Sequence, residues 1–412
     1  MDHTFYQGNR QTFYTSLPES SVFVLCSNTL VHRTADDHFR FFANRNFVYL
    51  TGIDEPDCIL LAYRLHGKIE EILFIRDHDP IAEIRGGRRI SFDSACQKSG
   101  IVNVQPSSGF QQAFRRIGGN CYFTELQLIL EANIGQEQVD QNHLFLRTVK
   151  ELYPNLAIKN AFPQLASQRT HKSPDEISTM KKALAITGEG ITRMMQAART
   201  ATNEMDLYAE FMRTLYAHGI LEPAFKPIVS NGSNNFYLHY DTPASDLQDG
   251  QLCLTDVGAI LDFCCVDISR VFPRNGRFSE QQKSVYQIAL QVNDEITQII
   301  KPGMAFTEID RLCRELTFAG LRDIGLLKDI SDIGKYVWHG CTHHIGFDVH
   351  DVGTYHVPIE PNMVFTMDTG IYIREWNIGL RIEDNVMVTA DGLQRLSDVI
   401  PRSIADIESI MS

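Results

Sequence analysis

Positive charge is the first thing this sequence is short of. Its 38 Lys and Arg are outnumbered by 51 Asp and Glu, a formal net charge of -13 over 412 residues. No run of Lys or Arg stands out, so neither nucleic acid nor an acidic membrane is expected as a partner. Long apolar runs are missing too. No uninterrupted stretch reaches the length needed to cross a bilayer. Residues 1–17 are polar and aromatic and lack the apolar region of an export signal. Nine cysteines are scattered without a C-x-x-C pair. An odd, frameless set without an export signal points to reduced thiols in the cytoplasm. There is no repeat of solenoid length and no low-complexity tract.

What remains is a chain with 43% hydrophobic residues, long enough for two domains. The runs Val22-Phe-Val-Leu25, Ile59-Leu-Leu-Ala62 and Ile72-Leu-Phe-Ile75 read as buried strands among polar segments. Residues 83–89 read as a loop. Residues 1–168 are therefore expected to form an α/β domain. A boundary falls between Pro163 and Lys172, and the next helix starts cleanly. Ser173-Pro174-Asp175-Glu176 is a capping box with proline at the first helical position. Further helices are expected over about 204–218, from Ser279 to Lys301, and around 307–321. Strand-like runs fall at 252–257, 263–272, 363–373 and 379–388. Residues 169–412 thus read as an α+β domain, with helices over one face of a mostly antiparallel sheet.

Four acids lie inside these apolar strands. Asp256 and Asp267 are equidistant from a hairpin turn expected near residues 260–262, which would make them near cross-strand neighbours about 5 Å apart. Asp368 and Glu383 form a second such pair. Like charges facing each other destabilise a sheet unless something positive lies between them. Any one of these acids, taken alone, is better explained as a surface group. All four together are not. Between the pairs lies His339-Gly-Cys-Thr-His343-His-Ile-Gly-Phe-Asp-Val-His350-Asp351. Four carboxylates and one imidazole suit two divalent ions. Manganese fits this oxygen-rich set first, with cobalt, iron or zinc as substitutes. His344 reads as a neighbour without chemistry. His339, His350 and His239 are balanced between site and core.

These motifs resemble the aminopeptidase P and proline dipeptidase group of metallopeptidases, across the whole chain. Asn46-Phe-Val-Tyr-Leu-Thr-Gly52 and Ala82-Glu-Ile-Arg-Gly-Gly-Arg-Arg89 resemble the family's N-terminal domain. Asp256-Val-Gly, Asp267-Ile-Ser-Arg, the block 339–351 and Arg381-Ile-Glu383-Asp384 resemble its catalytic motifs in order and spacing. The resemblance implies an α/β N-terminal domain of the creatinase and aminopeptidase P type, followed by a pita-bread catalytic domain with a curved, mostly antiparallel sheet. It implies that Asp256 chelates one metal, Asp267 and Glu383 bridge both, and His343 and Asp368 complete the other. His239 and His350 would line the active site, Asp368 would be the general base, and Arg381 would hold the acidic network. The implied substrate is a peptide with proline at the second position, and the implied assembly a homodimer or homotetramer. Asp368 stands where the family has Glu, one methylene longer, and Arg85 replaces a common aromatic. A dipeptide-restricted proline dipeptidase, or a weakened or purely peptide-binding protein, is the alternative reading.

Overall fold

The computed structural model describes residues 1–131 and 139–412. The chain divides into two compact units, Met1–Gln168 and Arg169–Ser412.

The first unit is built on a six-stranded mixed sheet. Its strands are β1 (Ser21–Cys26), β2 (Ile59–Leu65), β3 (Lys68–Ile75), β4 (Val104–Pro106), β5 (Glu125–Leu128) and β6 (Ala157–Asn160), in the order β4-β3-β2-β1-β5-β6. β1 is central and buried along its whole length, as its unbroken apolar run requires. Val22, Val24, Leu61, Phe74, Phe114 and Leu126 belong to one core cluster. Helices α1 (His3–Thr15) and α2 (Arg45–Thr51) precede β2, α2 being capped by the Asn44 side chain. The segment read as a loop over 83–89 is partly helical. Helix α3 spans Pro80–Gly86, because Asp79 accepts from the Ile81 and Ala82 N–H groups and proline sits in the first turn.

In the second unit the capping boxes form as read. Ser173 opens α4 (Pro174–Ala198) and Ser279 opens α6 (Glu280–Ile299), and each serine's N–H donates back to the side-chain oxygen of Glu176 or Gln282. Between them lie α5 (Glu204–Ala217), β7 (Ile228–Asn231), β8 (Leu252–Val257) and β9 (Ile268–Pro273). Helix α7 (Phe306–Asp323) is followed by β10 (Val364–Ile373), β11 (Ile378–Val388) and β12 (Leu393–Arg395). All pairings in the two three-stranded sheets, β9-β8-β7 and β10-β11-β12, are antiparallel. Asn293 of α6 donates to Met367 O at 2.9 Å, tying this helix to β10.

One register differs from expectation. The turn after β8 lies at Asp262 and Phe263, whose φ values are 43° and 69°. Ile260 then pairs with Cys265 and Leu261 with Cys264. Asp256 consequently faces Ser269 rather than Asp267. Asp267, two residues away from Ser269, stays on the same side of the pleat but sits diagonally. Gly258 makes this possible, since a Cβ there would lie 1.7 Å from Val266 O.

Candidate metal centre

The four acids come from two hairpins, and the imidazole from the connection between α7 and β10. Asp368 and Glu383 are direct cross-strand partners on β10 and β11. The 341–345 segment runs along β10: Asp368 N–H donates to Cys341 O at 2.8 Å and Thr366 N–H to His343 O at 2.9 Å. That alignment brings His343 over the acids. Its Nε2 lies 3.5 Å from Asp267 Oδ2 and 3.4 Å from Glu383 Oε1. One ligand atom from each of Asp267, His343 and Glu383 falls within 4.8 Å of the others.

His343 Nδ1 is 3.1 Å from His344 O. A carbonyl can only accept, so Nδ1 carries a proton. In the neutral ring the Nε2 lone pair then points at two carboxylates. That arrangement needs a proton or a metal ion in the middle. The acids show the same need. Burial first, and Glu383 second, push both Asp267 and Asp368 well above the ordinary carboxylate range. Burial pushes the His343 imidazole down, but its bonds to Asp267 and Glu383 outweigh this and raise it. Buried oxygens of Asp256, Asp267 and Asp368, the Oδ1 of each, find no hydrogen-bond donor among the described residues. Unpartnered buried carboxylate oxygens around an imidazole nitrogen are what a divalent cation would satisfy.

Asp256 and Asp368 do not join the tight three-residue set. Arg381 Nη2 draws Asp256 Oδ2 to 2.8 Å. Asp368 Oδ2 lies 3.4 Å from His339 Nδ1. Arg381 also donates from Nε to Ser269 Oγ at 3.3 Å, and Ser269 Oγ donates to Glu383 Oε2 at 3.0 Å. Its Nη1 reaches Tyr372 Oη at 3.4 Å, and Tyr372 Oη meets His339 Nε2 at 2.9 Å. Ser269, Tyr372 and His339 were not assigned these contacts from sequence. A period-two reading finds the first two, since Ser269 follows Asp267 by two residues and Tyr372 follows Asp368 by four. Gly370 between them must be small, because a Cβ there would meet His339 Nε2 at 2.4 Å.

A cleft of about 320 Å³ opens onto the acids, lined by His239, Asp256, Asp267 and His350 with Phe225 and Tyr240. The His350 ring stands edge-on to His343, centroids 4.5 Å apart. Burial, then the neighbouring His343, hold the His350 imidazole below its ordinary value. Asp351 anchors that loop, buried against Arg169 Nη2 and, at 2.8 Å, Lys172 Nζ. His344 turns away, packing on Phe306 with centroids 4.9 Å apart, and burial pushes its pKa down to about 4. It is a core histidine.

The model of metallopeptidase family M24 matches residues 178–390, the stretch that carries all five of these acids and imidazole. The chain belongs to metallopeptidase family M24. The aminopeptidase P N-terminal domain model matches residues 6–123. The M24 relatives include a Haemophilus influenzae Xaa-Pro aminopeptidase, 31% identical over 99% of this chain and 97% of its own. A solved Bacillus anthracis structure is 37% identical with a TM-score of 0.97, covering 100% of this chain and 98% of that one. Escherichia coli aminopeptidase P with the inhibitor Pro-Leu is 28% identical with a TM-score of 0.92 over the same shares. The fold is therefore an aminopeptidase P N-terminal domain followed by the pita-bread domain of M24, a family whose members use divalent metal ions.

Proposed function

We propose that this protein is a metal-dependent aminopeptidase that removes an N-terminal residue when proline follows it. The observation that carries this is the convergence of Asp267, His343 and Glu383 beside unpartnered buried carboxylate oxygens. It occurs in a chain that aligns end to end with Xaa-Pro aminopeptidases. That full-length likeness favours the aminopeptidase over a dipeptidase or a binding module.

Asp256, Asp267 and Glu383, with His343 and Asp368, would hold two divalent ions, manganese first by donor chemistry. Those ions would supply a water acidified toward neutrality and a Lewis acid for the scissile carbonyl. The bond to proline is a tertiary amide with no N–H, so recognition cannot use that donor. Asp368 takes the proton of the attacking water. His239 and His350, on the cleft wall, stabilise the oxyanion and pass a proton toward the leaving proline nitrogen. Arg381 holds Asp256 and, through Ser269, Glu383 in place. The protein works on peptides in the cytoplasm as a homodimer or homotetramer. No helix among the described residues is long and apolar enough to cross a membrane, and all nine cysteines are free.

The test is turnover of an Xaa-Pro tripeptide and an Xaa-Pro dipeptide with and without manganese. Manganese-dependent cleavage of the tripeptide is expected. Cleavage of the dipeptide alone would make it a dipeptidase, and no turnover by metal-loaded protein would leave only binding.

A further inference from the structure

Outside the metal centre, the Glu204 carboxylate is as deeply buried as the centre's own and has no part in the mechanism. Glu204 opens α5 and is fully buried. A first-turn position suits its negative charge. Its oxygens accept three hydrogen bonds: Oε1 from Asn234 Nδ2 at 2.9 Å, and Oε2 from Tyr240 Oη at 2.8 Å and Ser245 N–H at 3.0 Å. All three donors belong to one segment, 232–246, and His239 lies between them. The Glu204 N–H adds a fourth tie, to Ser245 O at 3.0 Å. Beyond the short turn Gly232–Phe236, this segment forms neither helix nor strand before β8. Yet His239 and Tyr240 both line the cleft with Asp256 and Asp267.

We infer that Glu204 is a positioning residue for His239. An irregular segment has no ladder of its own to hold a side chain in place. Here the residues on either side of His239 converge on a single buried carboxyl group, which accepts from all three donors. The segment cannot swing away without leaving a buried carboxylate unpaired, a costly state. Glu204 thereby sets where the His239 imidazole stands along the cleft. Tyr240 relays the constraint, since it is both a Glu204 donor and the next residue after His239.

The inference rests on the peptidase reading, so its test has one arm that needs no turnover. Glu204→Ala, Glu204→Gln and Tyr240→Phe are made alone and with His239→Ala, and assayed with manganese on an Xaa-Pro tripeptide. Glu204→Ala is expected to lower kcat/KM about a hundredfold, and the two milder changes about tenfold, with most of the loss in kcat. In the His239→Ala background the same changes should cost less than about threefold, because the group they position is gone. Equal losses in both backgrounds would overturn the inference and leave Glu204 a fold residue. If Glu204→Ala does not fold, the two milder variants carry the cycle. The second arm follows the His239 ring resonance by NMR, assigned from its loss in His239→Ala. It should move in Glu204→Gln and Tyr240→Phe, and an unmoved resonance overturns the inference whether or not substrate is cleaved. Absence of turnover in the wild-type protein counts against the peptidase reading alone.

Discussion

Glu383 and Asp384 are neighbours on β11, both buried, and they face opposite sides of the strand. Around Asp384 the protein supplies its own counter-charge. Arg270 Nη2 donates to its Oδ1 at 2.7 Å, and Arg395 Nε and Arg402 Nε lie 3.4 Å from its Oδ2. Burial would raise its pKa, but Arg270, Arg402 and Arg395 outweigh this and hold the carboxyl below its ordinary value. Around Glu383 the balance is reversed. Asp256, Asp267 and Asp368 crowd it, Arg381 bonds to Asp256 among them, and burial and Glu383 drive Asp267 and Asp368 toward protonation. The two faces thus separate structure from function. Asp384 is surrounded by the chain's own cations, whereas the acids around Glu383 outnumber the Arg381 that bonds Asp256. Arg270 joins the two sides, since its Nη1 also donates to Glu383 O at 2.7 Å.

The comparison breaks first on Glu383. Glu383→Ala should lower kcat/KM by about a thousandfold and reduce bound manganese measured by elemental analysis, while the metal-free protein unfolds no more readily than wild type. Retained activity with unchanged metal content would put the reaction elsewhere. Asp384→Asn should do the opposite. It takes the buried carboxylate partner from Arg270, while Arg395 and Arg402 keep Asp294, and should reduce the unfolding free energy by about 3–5 kcal/mol, read from denaturant midpoints. A loss below about 1 kcal/mol would show that the arginines find other partners and that this face is not a closed ion network.

Asp368 tests the functional side more finely. Its carboxylate is one methylene shorter than a Glu would be, and its Oδ2 lies 3.4 Å from His339 Nδ1. Asp368→Glu should bring that group toward Asp267, His343 and Glu383, raising bound metal toward two equivalents and kcat up to about a hundredfold. If activity falls instead, the rest of the site has adapted to the shorter acid.

How far these two faces could be read from the chain differs for physical reasons. The acid cluster is legible because acids inside apolar strands are anomalous locally, at Asp256, Asp267, Asp368 and Glu383. The helix starts at Ser173 and Ser279 were visible because capping boxes are short-range. The β8–β9 register was off by one turn position because Asp262-Phe263 carries none of the Asn-Gly or Asp-Gly chemistry that marks a two-residue turn. Helix α3 is masked in the sequence because the glycines at 86 and 87 carry a loop signal that overlies the Asp79-Pro80 start. The Asp384 network could not be seen at all, since Arg270, Arg395 and Arg402 come from separate stretches of chain and each reads as a surface cation. The same is true of Glu204 and its donors.

The last predicted effect is a difference in the sign of pH dependence. In metal-free protein, Asp267 and Asp368 have folded pKa values above the ordinary 3.8, from burial first and then Glu383. The folded state therefore keeps protons that the unfolded chain has released. Stability rises with pH only where the unfolded state binds more protons, so these groups make stability fall as pH rises from 3.8 through their raised values. His343 adds to the trend, because its raised value gives stability that is full below 6.5 and lost above. Asp384 works the other way, its contribution full above 3.8 and lost only as pH falls through its depressed folded value. Each proton of difference is worth about 1.4 kcal/mol per pH unit. Between pH 5 and 7, metal-free protein should therefore lose stability, and manganese should flatten or reverse that slope, because a bound cation takes the place of the protons. Urea unfolding across this range, at constant ionic strength and with and without metal, measures both slopes. A flat profile in the absence of metal would show that the four carboxylates are not crowded together, and the contrast between the two faces of β11 would lose its basis.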